Sequence, residues 1–177
     1  LIMTTQQFNA LPKAEKKRLV AKDVLAQIKA GKYLPNAGQY IGSLKTDLNN
    51  SDEDIKSNFR KIKECYVCAV GSCILSTTKF ANKLTFNDLE EDFVWELNKT
   101  AKKVKSLVSS VFTTRELALM ERCFEGDTNC YTENQFDYYI SSKDEEKCNE
   151  FYESTKNSDE ALIKIMKQIV KEGKFSL

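Results

Sequence analysis

Hydrophobic residues recur along most of this chain at the three- and four-residue spacing of an amphipathic helix, and capping residues stand where several of the runs begin. Val20, Val24, Leu25 and Ile28 share one face of a run from about Ala14 to Ala30, with Gly31 beyond its end and lysines on the opposite face. Ser51 and Asp54 precede Ile55, Phe59 and Ile62, and the box Asn87/Glu90 precedes Leu89, Phe93, Leu97, Val104, Leu107, Val108 and Val111. Thr113 with Glu116 opens a helix ending at Gly126, while Thr132 with Gln135 and Ser142 with Glu145 mark two further starts. The last run, through Leu162, Ile165, Met166, Ile169 and Val170, stops at Gly173. Cys65 to Ser76 is apolar on nearly every side and reads as a central, buried helix.

These runs predict an all-α fold, a single compact bundle of about six to eight helices over residues 1–177. Phe93, Leu97, Leu107, Cys68, Leu119, Ile165 and Ile169 are its expected core. Two prolines and six glycines are too few for a β-sandwich or barrel with its frequent turns. The most loop-like segment is Lys32 to Leu44, with Pro35, Asn36, Gly38 and Gly42 around Tyr33 and Tyr40.

Composition narrows the chemistry more than the fold. The chain has no histidine, which removes Ser-His-Asp and Cys-His nucleophiles, HExxH zinc sites and the facial iron triad. A formal net charge of +1 gives no general attraction to nucleic acid, although lysines concentrate near the amino end and carboxylates in the last third. No apolar run is long enough to span a membrane, and no secretory leader is expected, so the setting expected is cytoplasmic. Six cysteines and the Asn-x-Ser/Thr triplets at Asn49 and Asn98 keep a secreted alternative open.

Cys65-x-x-Cys68 has three readings: packing in the core, a zinc pair and a redox dithiol. A redox dithiol needs a strand before the helix, which the pattern does not predict, so core packing without metal or other cofactor is the expectation. If zinc is present, Cys65 and Cys68 are its ligands. Asp127 to Glu133 invites an EF-hand comparison, which fails because Thr132 and Tyr138 stand where glycine and glutamate are needed. Glu116, Glu121 and Glu125 share one helix, but no second carboxylate motif or Glu-x-x-His accompanies them as in a diiron site.

Four segments, Arg-Leu-Val-Ala-Lys-Asp-Val-Leu-Ala-Gln-Ile from Arg18, Cys-Tyr-Val-Cys-Ala-Val-Gly-Ser from Cys65, Leu-Ala-Leu-Met-Glu-Arg-Cys-Phe-Glu-Gly from Leu117 and Ile-Lys-Ile-Met-Lys-Gln-Ile-Val-Lys-Glu-Gly from Ile163, resemble a group of small uncharacterised bacteriophage and bacterial proteins. The resemblance transfers no functional residue. It implies a phage or bacterial accessory protein that binds and modulates a host factor, including defence systems. The functional expectation is therefore stoichiometric binding of a host protein or small anionic signalling molecule, through Tyr33, Tyr40, Asn36, Lys29 and Lys32. Aromatic rings on a glycine-containing loop beside ammonium groups suit an anion. Neither a membrane nor a nucleic-acid partner is expected. The alternatives are a small enzyme using carboxylate or cysteine chemistry and a zinc-stabilised nucleic-acid binder.

Overall fold

The computed structural model describes residues 3–38, 40–47, 52–81, 84–90, 99–126 and 139–177. Its helices are α1 (Thr5–Ala10), α2 (Lys13–Lys29), α3 (Ile55–Asn58), α4 (Ala69–Ala81), α5 (Asn87–Glu90), α6 (Lys99–Ser109), α7 (Thr114–Glu125), α8 (Ser142–Glu153) and α9 (Ser158–Glu172). Three strands, β1 (Tyr33–Pro35), β2 (Ile41–Thr46) and β3 (Ile62–Val67), join them. The fold is thus mostly helical but not all-α. Helix boundaries follow the capping chemistry: Thr113 and Glu116 form a reciprocal capping box on α7, and Gly173 ends α9 in the left-handed region with its N–H on the Ile169 carbonyl. The expected core residues Leu107, Cys68, Leu119, Ile165 and Ile169 are buried. Phe93, Leu97, Cys130, the Thr132/Gln135 start, the Asp127 to Glu133 segment, Asn49 and Asn98 lie outside the described residues.

The sheet corrects two expectations. Lys32 to Leu44 is not one loop, because Tyr33–Pro35 and Ile41–Thr46 are strands on either side of β3, in the order β1-β3-β2. Cys65 to Ser76 is not one helix, because β3 takes its first part. β1 runs parallel to β3, with Tyr33 opposite Cys65, and β2 runs antiparallel, with Ile41 opposite Val67. Along β3, Cys65 and Val67 are buried and Tyr66 between them is exposed, the two-residue alternation of a pleated strand. The spacing of Cys65 and Cys68 also suits a helix face, and only non-local pairing decides between the two.

Helix α4 is the hub of the interior. Ten consecutive residues, Ala69 to Thr78, are buried, and the helix contacts α1, α2, α3, α6 and α7. Two of its buried hydroxyls bond within the helix: Ser72 donates to the Ala69 carbonyl at 2.7 Å and Thr78 to the Leu75 carbonyl at 2.6 Å. Helix α9 packs on α2 and α7, and α8 packs on α7. The C-terminal tail folds back so that Phe175 meets Phe151 edge to face, with centroids 5.9 Å apart.

Candidate functional site

Helix α7 brings an unusual amount of charge indoors. Glu116, Glu121, Arg122 and Glu125 are all buried. Arg122 pairs with Glu145 of α8 at 3.0 Å. Glu116, in the first turn, accepts a 2.7 Å hydrogen bond from the Lys17 ammonium of α2 and another from the Phe175 amide at 3.3 Å. Glu121 and Glu125 are four residues apart, hence neighbours on one helical face. That face points at the junction where β3 becomes α4.

Cys68 occupies that junction. It stands immediately before α4, and its sulfur accepts the Gly71 amide N–H at 3.4 Å, the reach of an N-capping side chain to the third helical residue. Its own amide donates to the Tyr40 carbonyl at 3.2 Å. This contact explains Gly71: a Cβ there would sit 1.6 Å from the Tyr40 oxygen, so only glycine lets α4 and Tyr40 approach. The Tyr40 hydroxyl donates to Glu121 Oε2 at 3.0 Å, and the Gly38 amide donates to Glu125 Oε1 at 3.2 Å. One ligand-type atom from each of Cys68, Glu121 and Glu125 lies within 4.8 Å of the other two.

Burial governs the ionisation of this cluster. Removal from water, then the neighbouring Glu125 carboxylate, push the Glu121 carboxyl up to about 8, against the opposing hydrogen bond from Tyr40. The same two influences, burial first and then Glu121 and Glu125, raise the Cys68 thiol well above its usual range. At neutral pH the two groups are therefore protonated in the metal-free protein. A fully buried, protonated thiol is not arranged as a nucleophile. The set suits instead the holding of protons or of a cation.

The residues expected to bind a ligand do not form one surface. Tyr33 is buried with its hydroxyl 3.1 Å from Ser76 Oγ, and Tyr40 is buried against Glu121, so neither ring stands out to stack on a ligand. Asn36 and Lys29 are exposed, and Lys32, half-buried, donates to the Arg60 carbonyl at 3.3 Å. Of the two expected zinc-type cysteines, only Cys68 stands in a cluster of three ligand-type atoms among the described residues. The Cys65 thiol is 3.7 Å from the Lys32 carbonyl and outside the cluster of ligand atoms, and burial pushes its pKa up to about 12. The described cysteines, Cys65, Cys68, Cys73, Cys123 and Cys148, are free thiols. Cys123 of α7 and Cys148 of α8 share a hydrogen bond, which raises the first thiol and lowers the second.

Sequence reasoning set aside Glu121 and Glu125 for want of a partner motif. The partner is a single cysteine more than fifty positions away, and its signal was the strand-to-helix junction itself. Comparison of the chain with family models, curated proteins and solved structures finds no match.

Proposed function

We propose that this chain works by stoichiometric binding, through the exposed connection Asn36 to Gly38 between β1 and β2, with Lys29 and Lys32 supplying positive charge to an anionic ligand or acidic protein patch. The observation that supports it is a solvent-exposed connection whose flanks are fixed by buried groups. Tyr33 is tied to Ser76 on one side, Tyr40 to Glu121 on the other, and the Gly38 amide to Glu125 between them. A segment held in place before contact loses little conformational freedom on binding, so its contacts appear more fully as affinity. The tyrosines thus serve as anchors instead of stacking platforms. Lys32 and Asn36 flank the three-residue strand β1 on either side, roughly 13 Å apart along an extended backbone, so attraction between Lys32 and an anion seated at Asn36 weakens as salt is raised. A phage or bacterial accessory role, as the resemblance implies, fits this mode of action.

The test is affinity capture from bacterial lysate, with proteins and metabolites analysed together, comparing the natural chain with Asn36→Ala/Lys32→Ala. The double variant is expected to lose a stoichiometric, salt-sensitive partner while keeping its unfolding midpoint. Equal capture by both chains places recognition elsewhere, and no stoichiometric partner for either chain counts against the reading.

A further inference from the structure

The cluster beneath this connection has the donor set and the support of a metal centre. Cys68 supplies a sulfur from the α4 junction, and Glu121 and Glu125 supply oxygens from successive turns of α7, all within 4.8 Å of each other. Each is oriented by a separate donor: Cys68 by the Gly71 amide, Glu121 by the Tyr40 hydroxyl and Glu125 by the Gly38 amide. Hydrogen bonds of this kind, which fix the ligand and leave further lone pairs for an ion, recur around metal sites. The contrast with Glu116 is instructive, since that buried carboxylate meets a lysine ammonium.

We propose that Cys68, Glu121 and Glu125 bind a divalent cation of the zinc class, with the Tyr40 hydroxyl positioning Glu121. The ligand chemistry selects the ion: a thiolate disfavours calcium and magnesium, and mixed sulfur and oxygen donors suit zinc or cobalt. Bonds of about 2.1 Å to oxygen and about 2.3 Å to sulfur put tetrahedral ligand atoms roughly 3.5 Å apart, so atoms that all lie within 4.8 Å of one another close on an ion with at most about 1.3 Å of change in any separation. Three protein ligands leave the fourth position for water or another donor. On binding, the Cys68 thiol and Glu121 carboxyl give up their protons to the buffer, and the metal–sulfur and metal–oxygen bonds replace them. The site requires neither histidine nor a second Cys-x-x-Cys. This inference does not depend on what the Asn36 to Gly38 connection binds.

The test uses the full chain, reduced, stripped of metal and titrated with Co²⁺, followed by competition with Zn²⁺. The expected result is a thiolate-to-cobalt charge-transfer band in the near ultraviolet with tetrahedral visible bands, saturating at one-to-one stoichiometry and abolished by Zn²⁺. Cys68→Ser should remove the charge-transfer band, and Cys65→Ser should leave the spectrum unchanged. Glu121→Gln keeps the size of the side chain and an oxygen for the Tyr40 hydroxyl, so the fold persists while affinity drops at least about tenfold. An absent cobalt signal in the natural chain overturns the proposal. So does a signal that survives Glu121→Gln at full affinity, or one that disappears with Cys65→Ser.

Discussion

Glu116 and Glu121 lie little more than one turn apart on α7 and are both buried, yet their surroundings differ in kind. Glu116 meets the Lys17 ammonium at 2.7 Å, takes the Phe175 amide and closes the capping box of its own helix. Glu121 meets a tyrosine hydroxyl, a second carboxylate and a thiol. The first site holds three parts of the fold together: α2, the start of α7 and the C-terminal tail. At the second, burial beside Glu125 favours the protonated carboxyl of Glu121, whereas Glu116 is balanced by a lysine. A buried carboxylate thus reports on structure or on a ligand according to what faces it.

The largest expected effect comes from breaking the structural end. Lys17→Met leaves Glu116 buried without its counter-charge and should cost about 3–5 kcal/mol in denaturant unfolding. Adding Glu116→Gln to the same chain should recover much of that loss, because the uncompensated charge is gone. If Lys17→Met costs no more than an exposed lysine would, the pair is not a structural tie.

Gly71→Ala tests the other end through the backbone. A methyl group directed at the Tyr40 carbonyl forces α4 away from the β1–β2 connection, with a cost toward the upper end of about 1–3 kcal/mol. Near-neutral stability would mean that the close approach of α4 and Tyr40 is not a constraint. Tyr40→Phe removes only the hydroxyl and should cost about 1 kcal/mol in the same assay.

Much of the helical frame was legible because its signals are local. Thr113 with Glu116 requires only three residues of separation, and Gly126 and Gly173 stop helices by their own backbone freedom. The sheet was not legible, because β3 forms by pairing with Tyr33–Pro35 and Ile41–Thr46, and Cys65 to Cys68 carries a spacing that suits a helix equally well. The same long-range pairing hid the candidate site. Tyr33 and Tyr40 look like exposed loop aromatics until the strands turn them toward Ser76 and Glu121, and Glu121 with Glu125 lacks a partner until β3 delivers Cys68 to them. Asn36 and Lys29 stayed outside, where the pattern placed them.

The difference between the two ends of α7 is tested most directly by stability against pH in chelator-treated protein, comparing the natural chain with Glu121→Gln. The folded chain holds the Glu121 proton up to about pH 8, whereas the unfolded chain releases it in the ordinary carboxyl range near 4.5. Across that window unfolding releases a proton, so the contribution of Glu121 is fully present below it and is lost as pH rises, by at most about 1.4 kcal/mol per pH unit, levelling off above about 8. The account predicts that the natural chain loses stability relative to Glu121→Gln as pH climbs through this window. A stability difference that stays constant with pH, or one that shifts in favour of the natural chain as pH rises, would contradict it.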